Sequence, residues 1–304
     1  MKSPSQSIDN ILDTHVFSGA EADESAAPDL LIEVPHGATK GDDFRELAEQ
    51  LDGPFPGDLR DFFYVNTDVG AFEVAREAAR EFTAANPGRK ALVLRCRIPR
   101  TFIDCNRRIE LDSESFKQGG VTPGLMPWVN SASDLSLLRQ RYETYISAVK
   151  EAREGLSPTG AMILLHTYAP RSVGVEVDEN IVENLRRAYE PKQQEKWPLR
   201  PAFDVICHDL DGNDHGPRPV IDAFRQGIAE LDWSVEESAT YPLHPSTMAW
   251  DHVMALPGRA LCVEVRRDLL ADPFDPFVEM NICPHKVAPI AAALANSLNH
   301  WWSS

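Results

Sequence analysis

Four short apolar runs in this chain each break abruptly into polar residues capable of chemistry. Leu30–Val34 runs into Pro35-His36-Gly37, and Thr101–Ile103 into Asp104-Cys105-Asn106-Arg107. Ala161–Leu165 runs into His166-Thr167-Tyr168, and Ala260–Val263 into Glu264-Val265-Arg266-Arg267. A short apolar run bounded by turn signals reads as a buried strand. In α/β sheets, ligands sit just beyond the carboxyl ends of such strands. The pattern predicts one sheet edge that collects two imidazoles, a carboxylate and an Asn-Arg pair, which suits metal-assisted hydrolysis of an acidic substrate.

Between these runs the periodicity alternates. Helices are predicted over Asp42–Leu51, Gly70–Ala85, Asp134–Gly155, Pro219–Leu231, Thr247–Leu256 and Pro284–Leu298. In the second of these, Phe72, Ala75, Ala79 and Phe82 form an apolar stripe at helical spacing. Further strands are predicted at Lys90–Cys96, Phe203–Cys207 and Trp233–Glu236, with a short extended stretch at Thr101–Asp104. Leu111 to Val129 reads as a long loop, a length that is usually functional. Strands alternating with helices predict an α/β fold with a mixed, largely parallel central sheet flanked by helices. At 304 residues, the expected organisation is a polar lead-in over residues 1–28 and a single α/β domain over 29–304.

The formal net charge of -17 argues against nucleic-acid binding, which needs a clustered basic surface, and against an anionic membrane face. No run is long enough to span a bilayer. An anionic substrate then needs a local positive pocket, which directs interest to arginines among the motifs. Cys96, Cys105, Cys207, Cys262 and Cys283 are scattered, with no Cys-x-x-Cys pair. That usage fits reduced thiols and a cytoplasmic protein, as does the lack of an apolar stretch in the first 28 residues. Oligomeric state is not legible.

Taken alone, His36 is a turn histidine and His166 a satisfied core histidine. Together, at two strand ends, they form a candidate pair of zinc ligands. Asp68, in Asn66-Thr67-Asp68 before a helix, is either the third ligand or a helix cap. Asn106 and Arg107 can hold a carboxylate with an amide and a guanidinium fork, and Arg100 can polarise a carbonyl. Asp104 would orient one of these arginines. Glu264 lies inside an apolar strand, where it is either a general base raised by burial or the partner of Arg266 or another arginine. His208, Asp209, Asp211, Asp214 and His215 read as a polar loop before a second metal site. The loop Tyr241–Ser246, with His244, is a candidate pocket lining that contacts substrate. Serine-hydrolase, P-loop and dinucleotide fingerprints are missing from the sequence.

The order Pro-His-Gly, Thr-Asp, Arg-x-Phe-Ile-Asp-x-Asn-Arg, His-Thr and Val-Glu-Val resembles the N-formylglutamate amidohydrolase family, whose fold is similar to zinc exopeptidases such as carboxypeptidase and to aspartoacylase. The match runs from Leu30 to the last helix and is most specific over Arg100–Arg107, where Cys105 replaces a leucine. The resemblance implies zinc held by His36, Asp68 and His166, carbonyl polarisation by Arg100, carboxylate recognition by Asn106 and Arg107, and a catalytic Glu264. It implies an N-formyl or N-acyl amino acid as a small carboxylate-bearing substrate. The alternatives are a carboxypeptidase-like peptide hydrolase and a non-catalytic binder of an acidic metabolite. Leu164-Leu165 precede His166, so an acid that orients the imidazole either comes from elsewhere or is absent.

Overall fold

The computed structural model describes residues 6–111, 115–116, 121–272 and 274–302. Strands β1 (Leu12–Ser18), β2 (Leu30–Val34), β3 (Lys90–Cys96), β4 (Ala161–Tyr168), β5 (Phe203–Ile206), β6 (Val235–Glu237) and β7 (Ala260–Arg266) form one sheet in the order β1-β3-β2-β4-β7-β5-β6. The central strands β3, β2, β4 and β7 are mutually parallel. The flanks run the other way: β1 is antiparallel to β3, and β5 is antiparallel to β7 but parallel to β6. The sheet is therefore mixed and largely parallel, as the alternation of elements predicts.

Helices α1 (Gly41–Ala48), α2 (Leu59–Asn66), α3 (Ala71–Ala85), α4 (Ala132–Glu154), α5 (Ile181–Ala188), α6 (Pro191–Gln194), α7 (Arg218–Ala229), α8 (Met248–Ala255) and α9 (Pro284–Leu298) surround it. Period-two alternation splits each strand between two cores. Leu30, Ile32 and Val34 of β2, with Ile163 and Leu165 of β4 and Val263 and Val265 of β7, face a core closed by α3, α7 and α9. Leu31, Leu164 and Cys262 face the opposite core, closed by α1, α2, α4, α5 and α8. Both faces are covered, which is why these strands read as nearly unbroken apolar runs.

Three sequence expectations are corrected here. The stretch read as lead-in contains β1, an edge strand whose half-buried residues pair with the whole of β3. In Leu12-Asp13-Thr14-His15-Val16-Phe17-Ser18, three polar residues in a row break any apolar alternation, so no period-two signal marks this strand. Thr101–Ile103 is not a sheet strand: the amides of Phe102 and Ile103 turn back onto the Pro99 carbonyl, and only an isolated bridge links Ile103 to Leu125. Helices α2 and α5 were not legible as helices. The loop expected over Leu111–Val129 lies partly outside the described residues.

Candidate active site

The alternation that builds the cores also builds the site. Beyond Leu164 and Cys262, the next residues on the same face are His166 and Glu264, and the two are register partners across β4 and β7. Glu33 of β2 faces the same side. The chain order reverses around β2: β3, which follows it in sequence, lies on one side and β4 on the other. A switch point of this kind opens a crevice at the carboxyl ends of the strands. His36 leaves β2 at that crevice and His166 lies near the end of β4.

Asp68 comes from the connection between α2 and α3. Gly70 is the N-cap of α3, with φ of 88°, so the Asp68 side chain is not spent on capping. Instead its Oδ2 lies 3.1 Å from His36 Nδ1 and 2.9 Å from His166 Nδ1, with all three residues buried. Burial alone would raise the Asp68 carboxyl, but the two imidazoles beside it, His36 and His166, hold it well below the ordinary range. His36, Asp68 and His166 each offer a ligand atom within 4.8 Å of the others. The sequence pairing of two imidazoles with Asp68 is thus a real proximity across 98 and 32 residues of chain.

The hydrogen bonding around His36 tests whether a cation fits. Its Nε2 lies 2.7 Å from Asp104 Oδ1 and its Nδ1 3.3 Å from Arg100 Nη1. In the tautomer whose Nε2–H donates to Asp104, Nδ1 carries a lone pair that can accept from Arg100 and lies 3.1 Å from Asp68 Oδ2. That lone pair therefore faces a carboxylate oxygen in a buried space. A divalent cation satisfies this arrangement, and two histidines with one carboxylate form a donor set known for catalytic zinc. Asp104 on the far nitrogen is the acid that fixes such an imidazole. The residues fit the metal.

Asp104 is wholly buried and does more than orient an arginine. Its Oδ2 accepts from Arg100 Nη2 at 2.8 Å, Arg107 Nη2 lies at 3.8 Å, and its Oδ1 accepts the Asn106 amide at 2.8 Å. Burial would raise its carboxyl, but Arg100, Arg107 and His36 hold it well down. Burial would lower the Arg100 guanidinium, but Asp104 and Asp68 reverse this and raise it. Arg107 is pulled down by burial and spends Nε on the Thr122 carbonyl and Nη1 on the Asn106 carbonyl. Asn106 accepts the Ala249 amide through Oδ1 and sets Nδ2 3.4 Å from His166 Nε2.

Glu264 is half-buried, and its enclosed Oε2 lacks a hydrogen-bond partner among the described residues. Burial pushes its carboxyl up to about 7, with His166 opposing and Asp68 reinforcing. Arg266, its alternative partner in the sequence, turns instead to Asp268 at 2.8 Å and lies over Trp233. Sequence reasoning missed Arg267, whose Nη2 lies 3.7 Å from Asp68 Oδ1, although it closes the fourth motif. It also missed Arg200, which lies over the rings of Tyr168 and Tyr241 and has no described carboxylate within 4.0 Å. No local pattern marks Arg200; only tertiary packing brings it in.

His36, Asp68, His166, Arg100, Asn106, Arg107, Glu264, Arg267 and Arg200 line a single cavity of about 800 Å³. His244 does not line it: that imidazole is buried and bonds the Ser246 hydroxyl at 2.8 Å, while Tyr241, Pro242 and Leu243 of the same loop reach the cavity. Cys207, His208 and Asp214 also come within ligand range of one another. There, however, the Arg218 guanidinium already bonds both Asp214 and Cys207, and burial raises the thiol to about 12. Asp209 bonds His215 and Asn213, which makes the rest an ordinary polar loop.

No protein-family model matches the chain, and no curated protein matches it. Solved structures do. The N-formylglutamate amidohydrolase from Ralstonia eutropha JMP134 superposes with a TM-score of 0.57 at 16% identity, over 95% of this chain and 98% of that one. A gene product from Agrobacterium tumefaciens superposes with a TM-score of 0.55 at 19% identity, over 96% and 95%. Similarity at this identity lies in the path of the backbone: over nearly its whole length the chain has the fold of the N-formylglutamate amidohydrolase structure.

Proposed function

We propose that the protein is a metal-dependent amidohydrolase that cleaves the amide bond of an N-formyl or N-acyl amino acid. The observation that carries this reading is the convergence of His36, Asp68 and His166 beside the enclosed, unpartnered Oε2 of Glu264 in an arginine-lined cavity. The fold shared with an N-formylglutamate amidohydrolase supports it. His36, Asp68 and His166 would hold the ion. When bound, zinc would supply Lewis acidity for the amide carbonyl and for the attacking water.

The chain's own groups do the rest. Glu264 takes a proton from water as the oxygen adds to the carbonyl carbon. It returns that proton to the nitrogen as the C–N bond breaks, giving a carboxylic acid and an amine. A carboxyl poised near neutrality suits both transfers. Arg100, whose Nε is buried and unpartnered, donates to the oxygen that gains charge. Arg107, steadied by Asp104 and Thr122, anchors the substrate carboxylate, and Asn106 positions His166.

The test is a panel of N-formyl, N-acetyl and N-carbamoyl amino acids together with dipeptides, with metal content measured on the same sample. Hydrolysis is expected with one zinc per chain, lost on chelation and at least about 10³-fold lower in Glu264→Gln with zinc retained. A protein that cannot be loaded with metal, or full activity in Glu264→Gln, overturns the reading. Preference for dipeptides over every N-acyl amino acid would move it to a carboxypeptidase-like hydrolase.

A further inference from the structure

The cavity is larger than a formyl amino acid needs, and one wall is apolar. Ser172–Val177 lies outside any regular element. Val173, Val175 and Val177 are half-buried, whereas Gly174 and Glu176 between them are exposed. The three valines pack against the same apolar cluster as Phe62, Ile181 and Leu185. All six residues line the cavity that holds His36, His166 and Glu264, with Gly174 and Glu176 interspersed among the valines along the same lining. The wall is braced from behind: a Cβ on Gly174 would sit 3.3 Å from the Trp197 ring, whose Nε1 is fixed on the Ala188 carbonyl. At about 800 Å³ the cavity lies in the upper part of the range that buries drug-sized ligands. A short, fully polar substrate would leave this braced wall against water, forgoing the gain from apolar burial.

We propose that the substrate is an N-acyl amino acid carrying an apolar group of about five carbons or more, seated against the apolar lining formed by Val173, Val175, Val177, Phe62, Ile181 and Leu185. This rests on the amidohydrolase reading above. The apolar group belongs either to the acyl chain or to the amino-acid side chain. Both place the same chemistry on the wall, and two substrate series tell them apart.

The zinc-loaded protein is assayed with N-acyl glycines from acetyl to octanoyl, and with N-acetyl alanine, leucine and phenylalanine. In one of the two series kcat/KM rises about fourfold per added methylene until the wall is covered. In Val175→Asp the ratio of kcat/KM for the longest to the shortest member of that series falls at least about tenfold, and Val175→Thr, of nearly the same shape, gives a smaller drop of the same sign. Circular dichroism and thermal melting establish that each variant is folded. Turnover of N-formyl and N-acetyl substrates with both series flat or falling overturns the apolar wall and leaves the hydrolase standing. If no amide turns over, the hydrolase reading fails, and calorimetry with N-octanoylglycine, N-acetylphenylalanine and N-acetylglycine decides the wall separately. Tighter binding of an apolar compound, weakened in Val175→Asp, supports it, and equal binding of all three overturns it.

Discussion

Asp104 has no exposed surface, yet it takes hydrogen bonds from His36, Arg100 and the Asn106 amide at once. Replacing it by asparagine keeps the shape and removes the charge. Arg100 and His36 then lose their shared counter-charge in a buried place. Asp104→Asn is expected to weaken zinc binding about 10–100-fold and to lower unfolding free energy by about 3 kcal/mol. A competitive metal titration and urea unfolding check the two effects, and unchanged affinity would remove Asp104 from the site's support. Glu33 sits on the same sheet face, bonded by the Tyr145 hydroxyl at 2.7 Å, with His252 Nε2 3.4 Å from its other oxygen. Burial pushes its carboxyl from 4.5 up to about 7, with the Tyr145 bond opposing. The unfolded chain therefore releases this proton first, and stability is highest below about pH 4.5 and falls as pH rises through 7. Wild type should lose on the order of 3 kcal/mol over that window through this group, a loss Glu33→Gln does not share. Urea midpoints of both proteins from pH 4.5 to 8 read the difference, and parallel curves would show that Glu33 ionises normally.

At the scale of elements, the join between α2 and α3 delivers Asp68. Gly70 makes that join possible: its φ is 88°, and an added Cβ would lie 2.7 Å from Leu270 Cδ1 and 2.9 Å from its Cβ. Gly70→Ala combines a strained backbone with a clash, so about 2 kcal/mol of stability should be lost. Zinc affinity should fall with it, because Asp68 lies two residues away; a stability loss with unaltered metal binding would separate the join from the site. The elements themselves were unevenly legible. Leu30–Val34, Lys90–Cys96 and Pro284–Leu298 are read from sequence with the bounds that the structure has, because their apolar runs are long and their ends carry turn residues or proline. Helices α2 and α5 have only 8 residues each. Helices that short draw their stability from packing rather than from local propensity, so their pattern carries little signal. Thr101–Ile103 misled for the converse reason: Phe102 and Ile103 are buried, but as part of a turn, and a three-residue apolar run has no period to tell the two apart.

For the whole molecule, β1 is the strand that finishes the sheet. It covers the edge of β3 over seven paired residues, from Leu12↔Cys96 to Ser18↔Lys90. Removing residues 1–18 would leave the unpaired edge of a largely buried strand facing water, a template for pairing with another chain. Such a truncation is expected to lower Tm by several degrees and to form soluble aggregates, seen by light scattering on a sizing column. A monodisperse truncated protein with the parent Tm would show that the sheet is complete without β1. The net charge of -17 shapes the surface, while the interior of the cavity collects Arg100, Arg107, Arg200 and Arg267. That contrast sets the arginines of the cavity apart from the acidic balance of the whole chain, the arrangement that the proposed carboxylate-bearing substrate requires. Among the described residues, no helix is long and apolar enough to cross a membrane.

The sequence by itself determined the alternation of strands and helices and the motifs at strand ends, because buried strands and their turn residues leave a local imprint in residue type and spacing. It also carried the pairing of His36 with His166, through the rule that parallel strands deliver their carboxyl ends to one edge. Only the tertiary structure decided that Asp68 faces the imidazoles instead of capping α3, that Asp104 fixes His36 as well as Arg100, that His244 turns away from the cavity, and that Arg200 and the valine wall enter it. Apart from His244, which bonds Ser246 two residues on, those outcomes turn on contacts between residues far apart in the chain. Which partner a polar side chain takes when several are chemically suitable depends on where packing puts them, and a one-dimensional pattern holds no record of that.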